Sequence, residues 1–195
     1  MGVQWVFDKD FSFEDKNFAD IYRFYTIETP VENMSKRGIS LAKYGWNKKS
    51  ITNALKREIP SLNKNWETIT TKENKKKEYL ENIAQDISAL CKKNNIFEEV
   101  SDRREIFIHT NSKNNKTLSL LHAIRCAFAH GAFNRVEFYD EWFYFLENTF
   151  SGNLKGRIVA KEVTLLKIME IIKNPEKYYR KETKNKGKKT TSRKR

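Results

Sequence analysis

Apolar residues recur every three or four positions through most of this chain, a spacing typical of amphipathic helices. The spacing predicts helices near residues 18–25, 51–59, 78–93, 117–128 and 161–173. Pro60 is expected to end the second of these helices, and Gly131 is expected to end the fourth. The pattern therefore predicts a mainly α protein.

The segment between the last two predicted helices has a different pattern. Aromatic runs within 135–146 are followed by the turn residues Ser151 and Gly152 and by a further run at 154–159. Aromatic and β-branched runs bounded by turn residues favour strands. We therefore expect a small β-hairpin or sheet at about 135–159, inserted in the helical protein before its last helix.

The chain is strongly basic. Its 195 residues include 38 Lys and Arg against 25 Asp and Glu, which gives a formal net charge of +13. Residues 180–195 hold nine Lys or Arg, one Glu and no apolar side chain, so this tail is predicted to be disordered. The tail is either a phosphate-binding arm or a solubilising end. Residues 63–77 predict an exposed loop or the frayed start of a helix, and 1–179 are expected to form one domain.

The sequence argues against several classes of protein. No apolar run approaches the roughly 18 residues of a membrane helix, and the N-terminus lacks the pattern of a secretion signal. Cys91 and Cys126 are too few for a disulfide framework, so we expect reduced thiols and a cytoplasmic protein. The three histidines have no Asp or Glu at ligand spacing, so we predict no metal and no other cofactor.

The stretch 120–133 carries the candidate site. Arg125 is followed five positions later by His130, and no Asp or Glu occurs nearby, so a phosphate is a suitable counter-ion. On a continuous helix the two side chains would lie about 140° apart, so they converge only if the helix ends or bends near residue 129. A plainer interpretation also fits, in which His130 caps the helix and Arg125 extends past its packed stem to water.

The segment Arg125-Cys-Ala-Phe-Ala-His130-Gly131 resembles the Arg-x4-6-His signature of the HEPN superfamily, small helical bundles common in bacterial toxin–antitoxin and anti-phage systems. In one subfamily of short bacterial HEPN proteins, an aromatic hairpin, a strand and a final amphipathic helix follow the motif. This chain has counterparts in that order at 143–146, 152–159 and 165–172. The resemblance covers about 115–175 and implies a HEPN-like helical bundle with a small β insert.

The resemblance implies metal-independent hydrolysis of RNA, in phage defence or as a toxin, with Arg125 and His130 as catalytic residues. Such cleavage needs a base for the ribose 2′-OH, an acid for the 5′-oxygen and positive charge near the phosphorus. One chain supplies one Arg125 and one His130, so a homodimer that joins two motifs would complete the site. The face around Ile124, Phe128 and Phe133 is expected to form this interface.

Neighbouring residues are assigned supporting roles. His122 shares the helix face of Arg125, and Cys126 stands where active HEPN members usually carry Asn or another polar residue. The basic residues expected to follow the RNA backbone are Arg135, Lys155 and Arg157. An antitoxin or another defence-system protein is a further expected partner. Two other functions stay open: a catalytically decayed module that binds RNA or a nucleotide, and a dimerising interaction protein.

Overall fold

The computed structural model describes residues 13–31, 39–69, 77–93, 104–111 and 115–179, so the predicted disordered tail lies outside the described residues. The helices are α1 (Lys16–Arg23), α2 (Lys48–Glu58), α3 (Pro60–Lys64), α4 (Lys77–Lys93), α5 (Lys116–Ala129), α6 (Glu162–Lys173) and α7 (Pro175–Tyr178). The strands are β1 (Trp66–Ile69), β2 (Ile106–Thr110), β3 (Phe133–Phe138), β4 (Glu141–Phe150) and β5 (Asn153–Lys161). No helix in these ranges is long and apolar enough to cross a membrane.

The described strands form one mixed sheet in the order β1-β2-β5-β4-β3. β1 and β2 are parallel, with Trp66 opposite Phe107, and α4 lies in the crossover that a parallel pair requires. β2 pairs antiparallel with β5, and the β3–β4–β5 meander completes the sheet. The predicted helical bundle with a small β insert is therefore wrong, because the fold is a mixed α/β sheet packed against helices.

The two strands that the sequence analysis did not predict, β1 and β2, explain this difference. In β2, Ile106, Phe107 and Ile108 are all buried, because helices cover both faces of the sheet there. A strand covered on both faces has a continuous apolar run without the alternation that identifies half-buried strands. β1 has only four residues and lies in the segment 63–77, whose prediction as an exposed loop is wrong at these positions.

Helices pack on both faces of the sheet. α4 covers one face, where Ile83, Ile87 and Cys91 join the apolar side chains of β2, β4 and β5 in a smaller core. α1, α2, α5 and α6 cover the other face and form the larger core. The dimer interface expected around Ile124, Phe128 and Phe133 is wrong, because these side chains are buried in this larger core.

The local sequence sets both ends of α5. The side chain of Asn115 accepts the N–H of the third helical residue at 2.9 Å and so caps the start of the helix. At the other end Gly131 adopts a φ of +66°, and its N–H donates to the carbonyl of Phe128. The N–H of Ala132 donates to the carbonyl of Ala127, which completes a Schellman motif. The prediction that Gly131 ends this helix is confirmed.

Candidate active site at the end of helix α5

The C-terminal half of α5 carries the candidate catalytic residues. Successive residues of a helix are about 100° apart, so His122 lies about 60° from Arg125, and His130 lies about 140° from it in the same direction. Ala129 falls between Arg125 and His122. Ala129 and His130 are exposed, while Arg125 and His122 are half-buried. Arg125 and His122 therefore lie on one side of the helix, whereas His130 lies at its exposed end and points about 140° away from Arg125.

His130 keeps the helical register although α5 formally ends one residue earlier. Its N–H donates to the carbonyl of Cys126 at 3.0 Å, which is the hydrogen bond of a continuing helix. The helix thus ends at Ala129, as expected, but it does not bend His130 towards Arg125. The backbone positions of these two residues are about 7.5 Å apart along the helix axis. Viewed down the axis, the angle of His122 falls between theirs, although His122 lies one turn before Arg125.

Cys126 contacts His122 within this face. Its Sγ lies 3.6 Å from Nε2 of His122, and the side chain of Cys126 is buried. A thiol is a weak hydrogen-bonding group, so this contact is a weak one. The structure therefore places Cys126 as a neighbour of His122.

Arg135 lies in a buried ion network. Its guanidinium donates to Asp15 at 2.6 Å and to Glu162 at 2.7 Å, and its side chain is only 10% exposed. It also stacks over the ring of Trp142 at 4.0 Å. Burial raises the pKa of the Asp15 carboxyl, but hydrogen bonds from the Phe18 N–H and from Arg135 outweigh burial and hold that pKa below its ordinary value. The network joins α1 to the sheet and to α6, and it leaves Arg135 little freedom to contact RNA.

The other two predicted RNA-binding residues lie on β5. Arg157 donates to Glu147 at 2.9 Å on the sheet face that α4 covers, so it lies on the side opposite α5. Lys155 is half-buried, lies 5.8 Å from the ring centre of Phe150, and has its pKa lowered by burial. The structure does not bring Arg135 or Arg157 to the face of α5 that carries His130.

The comparisons with known proteins supply no relative. No protein-family model matches the chain, and no curated protein and no solved structure shows significant similarity to it. In the described ranges, no three His, Cys, Asp or Glu side chains are grouped so that they could hold a metal ion. Function is therefore argued from the chemistry of the site.

The sequence analysis did not select a group of lysines on α2 and at the start of α5. Lys48, Lys49 and Lys56 lie on α2, and Lys116 is the first residue of α5. A signal was present, since residues 43–64 contain six Lys or Arg and a single Glu. Arg135, Lys155 and Arg157 are the cations that lie closest to His130 in the sequence. In the structure Arg135 and Arg157 are paired with carboxylates, whereas the four lysines are not, within the described ranges.

Proposed function

We propose that this protein is a metal-independent endoribonuclease whose site is the exposed end of α5. The observation that supports the proposal is the exposed His130 at the end of the same helix that carries the half-buried Arg125 and His122 on one face. The proposal rests on this face and on the motif, and it does not require a helical bundle. The biological setting that we propose is phage defence or a toxin.

The reaction that suits these residues is attack of the ribose 2′-oxygen on the adjacent phosphorus. A base takes the 2′-OH proton, the new O2′–P bond forms a 2′,3′-cyclic phosphate, and the P–O5′ bond breaks as an acid protonates O5′. His130 is the exposed imidazole for an acid or base role, since histidine changes charge near neutral pH. Arg125 supplies a permanent positive charge for the phosphorane oxygens.

His122 and Cys126 are proposed as supporting residues. His122 lies one turn before Arg125 and about 60° from it around the helix, and Cys126 contacts its ring. Only one of the two imidazoles, that of His130, is exposed, and acid and base must act on opposite sides of the phosphorus. We propose that a second copy supplies the other group, and that the copies meet at the exposed Ala129–Gly131 end of α5.

The test is cleavage of end-labelled RNA in excess EDTA. Fragments with 2′,3′-cyclic phosphate ends are expected from the wild-type protein, with a loss of at least about 100-fold in His130→Ala and in Arg125→Ala. Arg23→Ala is the matched control, because it removes a 69% exposed arginine from another helix and should leave the rate unchanged. A DNA strand of the same sequence should stay intact, since it lacks the 2′-OH.

Two results would contradict this proposal. Fragments that persist in His130→Ala would place the reaction elsewhere, and a protein that cleaves RNA while monomeric by light scattering would remove the two-chain site. Intact RNA with every variant would favour a second candidate function, RNA binding without cleavage. Cys126 supports this second candidate, because a thiol cannot bind a phosphate oxygen as the amide of Asn does.

A further inference from the structure

Four lysines occupy one surface where α2 meets the start of α5. This lysine surface consists of Lys48, Lys49, Lys56 and Lys116. The two helices are joined there by the hydroxyl groups of Thr52 and Thr117, which are 2.7 Å apart. Asn115 at the start of α5 also donates from Nδ2 to the carbonyl of Lys48 at 3.3 Å. Because Lys48, Thr52 and Lys56 are four positions apart, they form one row about 12 Å long beside the start of α5.

The cations of the lysine surface lack the ion pairs that many other cations make in the described part of the chain. None of the four has a carboxylate oxygen within the 4.0 Å of an ion pair, among the residues that the structure describes. Several cations elsewhere are paired, among them Arg57 with Glu58, Lys161 with Glu141, and Lys173 with Glu28. The positive charge of this surface is therefore not neutralised by the protein itself.

Lys116 shows the consequence of this arrangement most clearly. Its Nζ donates to the carbonyl of Trp66 at 2.6 Å and lies 4.6 Å from the centre of the indole ring. Burial, and then the nearby charge of Lys56, lower the pKa of Lys116 to about 8, which Glu67 offsets only in part. The ammonium group is thus held in place, close to another cation, at a site where an anion would stabilise its charged form.

The described chain ends beside the same surface. Tyr179, its last residue, lies 3.4 Å from Asn47 through its hydroxyl group, and Asn47 is the residue that caps the start of α2. Residues 180–195 continue from this point with a net charge of +8.

We propose that the lysine surface binds the phosphate backbone of RNA. A row of unneutralised cations fits a ligand with regularly repeated negative charges, and contacts from lysine to phosphate carry no sequence preference. The identity of the ligand as RNA rests on the proposed function, whereas the binding of a phosphate backbone rests on the lysine surface alone. Lys116 lies about 20 Å from His130 along α5, so a bound strand would extend over several nucleotides from the site of cleavage.

The experiment measures the affinity of the full-length protein for a 20-nucleotide single-stranded 2′-O-methyl RNA by fluorescence anisotropy over a range of salt concentrations. This RNA cannot be cut by 2′-OH attack, so binding is measured independently of cleavage. The variant is Lys48→Gln with Lys49→Gln. The matched control is Lys92→Gln with Lys93→Gln, which removes two adjacent exposed lysines from the end of α4, on the opposite face of the sheet.

The expected result is a difference between these two variants of equal net charge. The slope of log affinity against log salt should fall by about 1.4 in the α2 variant, with roughly twentyfold weaker binding at about 0.1 M salt. The α4 variant should change affinity by less than about threefold. Equal effects of both variants, or no effect of the α2 variant, would overturn the proposal. Equally tight, Lys48-dependent binding to vesicles of anionic lipid would also overturn it.

A second readout follows Lys116 directly. NMR titration of its ε-methylene signal should give a pKa of about 8 in the free protein, and that pKa should rise when the 2′-O-methyl RNA binds. Lys56→Gln should also raise the pKa of Lys116 in the free protein, because it removes a nearby positive charge. A Lys116 signal whose titration does not respond to RNA would exclude this residue from the binding surface, whatever the outcome of the cleavage assay.

Discussion

His109 should make the stability of the protein depend on pH well above the range in which carboxylates titrate. The side chain is fully buried, and Trp66 Nε1 donates to its Nε2 at 2.7 Å. Its Nδ1 lies 2.9 Å from the carbonyl oxygen of Thr110, so in the neutral ring Nδ1 carries the proton and donates it there. Protonation of Nε2 would place two donors against each other inside the core.

The size of the effect follows from linkage. Burial lowers the pKa of His109 from 6.5 to about 4, and each unit of difference from the unfolded chain corresponds to about 1.4 kcal/mol. The unfolded chain binds the proton more readily, so this contribution to stability is complete above pH 6.5 and is lost as the pH falls towards 4. The free energy of unfolding should therefore decrease by about 2 kcal/mol at pH 5 and by about 3 kcal/mol near pH 4.

Urea unfolding followed by tryptophan fluorescence at several pH values between 7.5 and 5 measures this decrease. His109→Gln keeps a polar side chain but cannot titrate, so its stability should be lower throughout and nearly flat across the same range. His130→Gln is the control, since it removes an exposed imidazole and should keep the wild-type slope. A wild-type protein equally stable at pH 7.5 and pH 5, or a His109→Gln variant with the wild-type slope, would refute the reasoning.

Two pairs of substitutions test the close packing of a glycine and the buried ion network. Gly156→Ala should destabilise the protein by about 2 kcal/mol or more in urea unfolding, because its Cβ would lie 2.9 Å from a carbonyl oxygen of β2. Gly152→Ala, with a φ of +75° but open space around it, should cost only about 1 kcal/mol. Arg135→Met should cost about 3 kcal/mol, because it leaves the buried Glu162 without its cation. Arg23→Met, which breaks an exposed pair, should change stability by less than about 0.5 kcal/mol, and equal losses in these two arginine variants would contradict this account.

Helices α4 and α6 could be predicted from the sequence because the apolar residues of each recur with a helical period. The predicted segment 78–93 corresponds to α4 and 161–173 to α6, and each has a clear helical period. The sheet could not be predicted in the same way, because its central pairing joins β2 to β5, about fifty residues later in the chain. Neither strand contains information about its partner, and β2 lacks the alternation that would identify it as a strand.

The residues of the candidate site also fall into two groups, those whose positions the local sequence fixes and those whose surroundings depend on distant residues. Arg125 and His130 are close in sequence, so one helix period fixes their relative positions, and Gly131 fixes where the helix ends. The environment of Arg135 depends instead on Asp15, which lies 120 positions earlier, and on Glu162 from a different helix. Local patterns therefore identified the motif residues but could not identify which cations the fold would neutralise.

Whether the fold neutralises a cation decides where a polyanion can bind. The net charge of +13 indicates that this protein attracts phosphate, but an arginine already bonded to two carboxylates contributes little to a new ligand. Lys48, Lys49 and Lys56 have no such partners in the described part of the chain, so their charge is available at the surface. Binding should therefore depend on α2 and cleavage on the far end of α5. Substitution of His130 should remove cleavage and leave binding intact, whereas the α2 variant should weaken binding and raise the RNA concentration that cleavage requires.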